Sequence, residues 1–251
     1  MRRRHYLLLL LLLLLLYPSL IDGLAKFQHY DVSPNSRFGN TFPNGTYILK
    51  EKPRDELARM LRELVAVLDS LKIVHILTAG SLLGHRRHNK GIIPFDDDID
   101  LLVQPLSSLD VESIQRLLPD GLKLIYFGGW FKIISDTIGF QDRLSISIDL
   151  FEYVVEGETV TLKDKGARKK WPKETWPYTD VFPLVQSTFC GVPVFLPNQV
   201  DNVLFQSYGE DCLKVAYVNN VHGAFAFLAT RYSLRSKPKK IEITASRKVC
   251  A

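Results

Sequence analysis

The sequence contains little cysteine and no internal repeat. Its three cysteines among 251 residues allow a single disulfide and leave one thiol over, so no disulfide framework can hold the fold together. Low-complexity sequence is confined to one leucine run near the N-terminus. Without repeats, the length predicts one domain of about 200 residues, which is large enough to bury a substantial core.

The sequence also lacks a basic stretch interleaved with aromatic residues of the kind that binds nucleic acid. The formal net charge of +5 is misleading, because Arg2 to Arg4 contribute +3 and residues 231–251 contribute +6. About −4 is therefore left for the middle of the chain. We expect the basic tail to be a solvated terminus and expect no nucleic-acid partner.

The longest hydrophobic run consists of ten consecutive leucines, Leu7 to Leu16, directly preceded by a basic segment. This pattern is typical of a targeting segment. Residues 6–21 as a helix would span about 24 Å, which is short but tolerable in a thin early-secretory bilayer. The small residues in Gly23-Leu24-Ala25 alternatively permit cleavage after Ala25. Residues 1–25 are thus a cleaved signal peptide or a type II signal anchor, and both interpretations stay open.

Positive charge before the apolar run predicts that the rest of the chain is lumenal. Asn44-Gly45-Thr46 is an N-glycosylation acceptor, which is consistent with that compartment. Cys190 and Cys212 are the pair that we expect to form the disulfide, with Cys250 left over. We therefore expect a protein of the ER or Golgi lumen, either anchored in the membrane through residues 6–21 or secreted after cleavage.

Three further segments follow the leader. Residues 26–52 are rich in proline, asparagine and glycine and predict an irregular stem, residues 53–230 a catalytic domain, and residues 231–251 a basic tail. Apolar side chains at helical spacing over residues 53–73 predict an amphipathic helix that packs against a sheet. An α/β (α+β) fold with a mixed sheet flanked by helices is expected. Strands are predicted at about 74–78, 99–103, 122–127, 130–135 and 145–152, and helices near 108–118 and 198–208.

A glycine-serine turn precedes a dense acid cluster by about twenty residues. On an extended strand Asp98 and Asp100 would project from one face, because Ile99 between them points to the other. Gly80 would let the backbone approach a phosphate closely, and Ser81 could donate its N–H and hydroxyl. The combination predicts a divalent cation, Mg²⁺ (or Mn²⁺), on Asp98 and Asp100 beside a phosphate.

Simpler interpretations of these residues exist. An acid run is often a solvated loop, and a glycine-serine pair is often an ordinary turn. Asp96, Asp98 and Asp100 match the alternating ligands of an EF-hand, but Leu101 stands where its glycine belongs and Ser107 where its glutamate belongs. The EF-hand interpretation therefore fails, and only the combination of turn and acids favours phosphoryl transfer.

The three segments Gly80–Gly84, Arg87–His88 and Ile93–Asp100 together resemble the signature of the LicD and fukutin-related nucleotidyltransferase-fold proteins. That family transfers a phosphorylated alcohol, such as phosphocholine or ribitol phosphate, from a CDP-linked donor onto a glycan. The resemblance covers about residues 57–213. Its further matches are Phe131–Ile133, Asp136–Thr137, Ile148–Phe151, Phe182–Gly191, Pro197–Asn198 and Tyr208–Gly209.

Carried over residue by residue, the resemblance implies three roles. Gly80 and Ser81 would form the phosphate-facing turn, and Asp98 and Asp100 would be the catalytic metal pair. Asp149 would be a third acid from a neighbouring strand and a candidate general base. Attack by an acceptor hydroxyl would expel CMP, with catalysis coming mainly from positioning and charge neutralisation.

Two basic residues are expected on the donor phosphate. Arg87 offers a planar fork and Lys132 a compact point charge, although each is otherwise interpreted as a surface charge. Residues 163–178 are basic and aromatic and predict either a solvated loop or a platform for the acceptor glycan. His85 and His88 have no third soft ligand near them in sequence, so we do not expect them to bind the metal.

These features together predict a lumenal, Mg²⁺-dependent phosphotransferase of the LicD and fukutin type. Its donor would be a CDP-alcohol, and its acceptor a hydroxyl of a glycan or glycoprotein. The alternative is a catalytically silent family member that binds or scaffolds glycan-assembly enzymes, although the intact acids argue against it. A nucleotidyl-adding enzyme that acts on nucleic acid is disfavoured by the leader.

Overall fold

A computed structural model describes residues 39–41, 47–49, 51–94, 96–136, 146–218 and 239–242. The predicted leader, the glycosylation acceptor Asn44 and Cys250 lie outside these residues. No helix within the described ranges combines the length and the apolar character needed to cross a membrane.

Seven strands form the central sheet: β3 (His75–Leu77), β4 (Asp98–Val103), β5 (Leu122–Phe127), β6 (Trp130–Ser135), β7 (Ser147–Glu156), β8 (Thr159–Leu162) and β9 (Thr175–Pro177). The order is β3-β4-β7-β6-β5, with β4 and β7 parallel and the other pairs antiparallel. The first part of β7 pairs with β4 and β6, and its last four residues pair with β8, which in turn pairs with β9. One long strand therefore joins the main sheet to a short extension.

Three antiparallel strand pairs surround this sheet: β1 (Gly39–Thr41) with β2 (Tyr47–Leu49), β10 (Val185–Phe189) with β11 (Val192–Leu196), and β12 (Val215–Val218) with β13 (Lys239–Glu242). The first pair lies in the segment predicted to be an irregular stem. Leu49 is fully buried in the core, and its N–H donates to the carbonyl of Pro94 at 2.7 Å. β13 likewise falls within the predicted basic tail. The sequence did not predict this strand, because pairing with a distant strand is not visible in local composition.

The described helices are α1 (Glu51–Ser70), α2 (Ala79–Arg87), α3 (Ser108–Leu117), α4 (Lys165–Lys170), α5 (Tyr178–Val181) and α6 (Val200–Tyr208). α1 is the predicted amphipathic helix. Its apolar side chains recur every three or four residues, and Leu57, Leu61, Leu64 and Leu68 are fully buried against the sheet and β11. The predicted helices near 108–118 and 198–208 are confirmed as α3 and α6.

Strand register separates an apolar row from a polar row across three neighbouring strands. The apolar row is fully buried and consists of Ile99, Ile148 and Ile133. The adjacent row pairs Asp100 with Asp149 and Asp149 with Lys132. Because side chains alternate along a strand, this row projects from the opposite face. The predicted α/β fold with a mixed sheet and flanking helices is confirmed, and the sheet brings the acids of β4 and β7 together.

The segment from 163 to 178 is more regular than the predicted loop. It contains α4, which is capped by the Asp164 side chain accepting from the N–H of Ala167 at 2.8 Å, and the strand β9. Trp176 in β9 is 1% exposed and packs in the core, so it is not part of any surface platform.

The predicted disulfide between Cys190 and Cys212 is wrong. Cys212 is a buried free thiol, whereas Cys190 is disulfide-bonded. Cys190 lies in the turn between β10 and β11, where its N–H donates to the carbonyl of Lys90. A disulfide requires the two Cβ atoms to lie about 4 Å apart. The order of cysteines along the chain does not determine which pair meets that requirement.

Candidate active site

Three carboxylates meet at one end of the parallel strand pair. One oxygen from each of Asp98, Asp100 and Asp149 lies within 4.8 Å of the others. Asp98 and Asp100 project from one face of β4, and Asp149 joins them because it is the direct β-partner of Asp100. This spacing and these hard oxygen ligands can hold one divalent cation, and they suit Mg²⁺.

Charge repulsion is strong in this acid cluster. Burial, reinforced by the charge of Asp149, raises the pKa of Asp98 to about 7. Burial and the charge of Asp98 raise the pKa of Asp100 well above its usual range. Burial and the charges of Asp98 and Asp100 likewise raise the pKa of Asp96 well above its usual range. Carboxylates this close must either keep protons or gain a cation, so the cluster fits a metal ion electrostatically as well as geometrically.

The side chain of Asp149 is held by three hydrogen-bond donors. Its Oδ1 accepts from Lys132 Nζ at 2.6 Å and from Ser147 Oγ at 2.9 Å. Its Oδ2 accepts from Trp130 Nε1 at 2.8 Å. A carboxylate with both oxygens engaged in this way is held in one orientation. This arrangement favours Asp149 as a fixed metal ligand over the predicted role of general base.

Lys132 lies beside the acids but is bound to the protein itself. Its ammonium donates to Asp149 Oδ1 and, at 3.0 Å, to Ser147 Oγ. These two bonds use two of the three donors of a lysine ammonium. The predicted contact with a donor phosphate therefore stays a prediction, and its observed role is to orient and neutralise Asp149.

Gly80 and Ser81, which were predicted to form a turn, belong instead to the first turn of α2, beside the acids. A Cβ added at Gly80 would be only 2.6 Å from Asp96 Oδ2 and 3.5 Å from Asp100 Oδ2, so a larger residue here would displace the Asp96 side chain. The buried Ser81 accepts a hydrogen bond at its Oγ from the N–H of Asp100 at 2.9 Å. The pair thus supports the acid strand. Their predicted contact with a phosphate stays untested.

The N-terminus of α2 faces the same space. Thr78, the N-cap, makes no side-chain capping hydrogen bond, and Thr78 and Ala79 line the cavity beside the acids. The first N–H groups of a helix have no intrahelical acceptor and carry partial positive charge. This end of α2 therefore favours an anion such as a phosphate.

Arg87 is not among the residues that line this cavity. Its Nη1 donates to the carbonyl of Cys212 at 2.7 Å, and its Nε to His88 Nδ1 at 3.3 Å. Arg87 therefore fastens the turn after α6 to α2, and its predicted contact with phosphate stays a prediction. His85 contacts Ser187 Oγ through Nε2 at 2.8 Å. Burial lowers the pKa of both His85 and His88 to about 4, and neither belongs to a metal-ligand cluster of the described residues.

A cavity of about 480 Å³ opens over the acid cluster. The acids Asp98, Asp100 and Asp149 form its floor, residues 170–174 form one wall, and Ser207 and Tyr208 at the end of α6 form another. Its volume is suited to a small molecule rather than to a macromolecule.

Two residues of the cavity wall went unrecognised in the sequence. Lys170, the last residue of α4, has its Nζ 4.0 Å from the ring centroid of Trp171 and 4.8 Å from that of Trp130. Burial raises the pKa of Glu174 to about 7. The basic and aromatic composition of residues 163–178 did indicate a binding segment, but composition alone could not show which side chains turn toward the acids.

Comparison with known proteins places this chain among transferase-type domains. RP689, an uncharacterised protein of Rickettsia prowazekii (strain Madrid E), is 24% identical over 168 residues, which are 65% of this chain. The chain spans 58% of the length of that relative.

Two solved structures are similar at low sequence identity. ANT(2")-Ia in complex with adenylyl-2"-tobramycin matches at 11% identity and a TM-score of 0.38, covering 59% of this chain and 72% of that one. The lincosamide antibiotic adenylyltransferase LnuA, lincomycin-bound, matches at 12% and a TM-score of 0.38, covering 66% and 97%.

The family model described as the LicD/FKTN/FKRP nucleotidyltransferase domain matches residues 72–199. These residues make up half of the chain and contain the turn, the acid cluster and the wall at 170–174. The resemblance noted in the sequence is thereby confirmed, and the chain belongs to the LicD/FKTN/FKRP nucleotidyltransferase domain family.

Proposed function

We propose that this protein transfers a phosphorylated alcohol from a CDP-linked donor to a hydroxyl of a glycan or glycoprotein. One observation carries the proposal: Asp98, Asp100 and Asp149 converge on one cation-sized point at the floor of a cavity of about 480 Å³. Membership of the family supports an activated nucleotide donor. The leader of the sequence supports a lumenal setting in the ER or Golgi, as an anchored or a secreted protein.

Each group in the site has a distinct part in this proposal. A bound Mg²⁺ (or Mn²⁺) would supply charge neutralisation for the donor phosphates. Asp98, Asp100 and Asp149 would hold the cation, and Lys132, Ser147 and Trp130 keep Asp149 oriented toward it. The N-terminus of α2 offers N–H groups to a phosphate on the same side. Catalysis would then rest on positioning and electrostatics.

The experiment uses the full chain with CDP-ribitol, CDP-glycerol and CDP-choline, with and without Mg²⁺. Donor binding is measured by calorimetry, and transfer by release of CMP in the presence of glycan acceptors. We expect Asp98→Asn and Asp100→Asn each to reduce transfer at least about 100-fold while the protein still folds, because each removes a metal ligand. Asp120→Asn, at an exposed carboxylate in the turn before β5, is the matched control and should retain activity.

Two results would contradict the proposal in different ways. Full transfer by both active-site variants would separate the acid cluster from the chemistry. Failure of the folded wild-type protein to bind any of the three donors with Mg²⁺ would favour a silent binding or scaffold protein.

A further inference from the structure

Two indole rings form a cage at the edge of the cavity. The ring centroids of Trp130 and Trp171 lie 5.3 Å apart with an interplanar angle of 72°. Phe151 closes a third side, with its ring centroid 5.5 Å from that of Trp130 and 5.4 Å from that of Trp171. We call these three rings the aromatic cage. Phe151 and Trp171 line the cavity, so the cage opens toward the acids.

The protein's own Lys170 occupies the position that a cationic ligand would take in such a cage. Its Nζ lies over the rings of Trp130 and Trp171, at 4.8 and 4.0 Å from their centroids. Within the described residues, this ammonium makes no ion pair or hydrogen bond with another side chain. Aromatic cages attract quaternary ammonium groups through the negative faces of their rings. Here that attraction is already satisfied, and the ammonium keeps its N–H donors for a ligand.

The aromatic cage adjoins the acid cluster through one side chain. Trp130 forms a wall of the cage, and its Nε1 donates to Asp149 Oδ2 at 2.8 Å. Lys170 and Trp171 line the same cavity as the acids, so a phosphate held at the acids would place the group esterified to it in the cavity that Lys170 lines. The cage is thus located where the transferred alcohol, rather than a remote part of a substrate, is expected to lie.

We propose that the aromatic cage and Lys170 form the site for the transferred alcohol, and that this site accepts uncharged, hydroxylated alcohols and rejects quaternary ammonium alcohols. This inference rests on the proposed function and narrows its donor class. Hydroxyl oxygens of a polyol accept hydrogen bonds from the Lys170 ammonium, while the ring faces pack against its carbon chain. A choline headgroup would meet a like charge in a partly enclosed cavity, and the cage faces that could attract it are occupied.

The test compares CDP-glycerol with CDP-choline in Mg²⁺ by calorimetry, using wild-type protein and Lys170→Met. The two donors share the nucleotide and diphosphate, so the ratio of their affinities isolates the alcohol. We expect the wild type to bind CDP-glycerol about tenfold more tightly than CDP-choline, and Lys170→Met to remove or reverse that preference. Lys169→Met is the matched control, because Lys169 and Lys170 are both exposed at the end of α4 but only Lys170 lines the cavity.

The outcomes separate this inference from the proposed function. A wild-type preference for CDP-choline, or an affinity ratio unchanged by Lys170→Met, overturns the inference and leaves the transferase proposal standing. Equal weakening of both donors in Lys170→Met also overturns it, since the lysine would then contact the shared diphosphate. Absence of Mg²⁺-dependent binding of either donor to folded wild-type protein removes the proposed function and the inference together.

Discussion

Lys132 Nζ lies 2.6 Å from Asp149 Oδ1, and the two residues are direct β-partners on β6 and β7. The side chains are 20% and 7% exposed, so this ion pair is largely shielded from water. Asp149 is also the β-partner of Asp100, which places the Lys132 ammonium in the same row of the sheet as the acids. The pair therefore links the stability of the sheet to the orientation of one carboxylate of the acid cluster.

Loss of the Lys132 ammonium should destabilise the protein. Lys132→Met leaves the Asp149 carboxylate in a shielded position without the ammonium that pairs with it, and we expect a loss of about 2 kcal/mol in the free energy of unfolding. The matched control is Lys123→Met, because Lys123 pairs with Asp136 at 2.9 Å but the side chains are 57% and 49% exposed. That change should cost less than about 0.5 kcal/mol. Urea denaturation in metal-free buffer measures both, and equal losses would contradict the assignment.

Metal binding should be visible as thermal stabilisation. Wild-type protein at 100 times the dissociation constant of Mg²⁺ should gain about 2.7 kcal/mol over protein in EDTA. Asp100→Asn should lose that gain, yet its stability in EDTA should equal or exceed that of the wild type, because one repelling carboxylate is gone. Melting curves with and without Mg²⁺ provide the measurement. An Asp100→Asn protein that still gains stability from Mg²⁺ would place the metal elsewhere.

Glu174 should make the stability depend on pH. Burial raises its pKa to about 7, so the folded protein binds this proton more tightly than the unfolded chain, in which the pKa is about 4.3. The stabilisation is complete below about pH 4 and is lost as the pH rises through about 7. The free energy of unfolding of the wild type minus that of Glu174→Gln should therefore fall between pH 4.5 and 7.5.

The difference between the two proteins is needed because other groups titrate in the same range. The pKa values of His85 and His88 are lowered by burial to about 4, so their contribution is lost as the pH falls and has the opposite sign. Both proteins carry both histidines, and their contribution cancels in the subtraction. A difference that stays constant across this range in metal-free buffer would show that Glu174 has an ordinary pKa.

Two glycines of α2 should respond differently to alanine. In Gly80→Ala the new Cβ would meet the Asp96 carboxylate at 2.6 Å, so that side chain must move and metal affinity should fall about tenfold. In Gly84→Ala the Cβ would meet the backbone carbonyl of Gly91 at 2.5 Å, which cannot rotate away. We expect a loss of about 1–3 kcal/mol in stability with metal affinity retained. Calorimetric Mg²⁺ titration and denaturation of both variants distinguish the two effects, and identical behaviour would contradict this account.

Local pattern was sufficient to predict most of the sheet. The strands at 122–127 and 130–135 have the predicted bounds, because alternation within each strand carries the signal. β7 extends to Glu156, beyond the predicted end at residue 152, because its last residues pair with β8. β7 and β8 form a hairpin. The periodicity of β7 alone does not indicate that the next segment pairs with it.

The acid cluster could also be predicted from the sequence, whereas the side chains around it could not. Asp98 and Asp100 follow from alternation on one strand, and Asp149 was placed beside them by family resemblance. The ion pair between Lys132 and Asp149 depends on the strand order β4-β7-β6, which cannot be read from the sequence. Lys170 lines the cavity because α4 packs against β8. From the sequence alone, a lysine that lines a cavity cannot be distinguished from a solvated one.

The two halves of β7 pair with different strands. Its first half supplies Asp149 in register with β4, and Tyr153–Glu156 pair with β8, which leads directly into α4 and Lys170. The strand that carries one acid of the cavity floor therefore also anchors the hairpin that leads to the wall at residues 170–174. Sequence changes after Glu156 can therefore reshape the wall of the cavity while the acids keep their register, so the two parts of the cavity can vary independently.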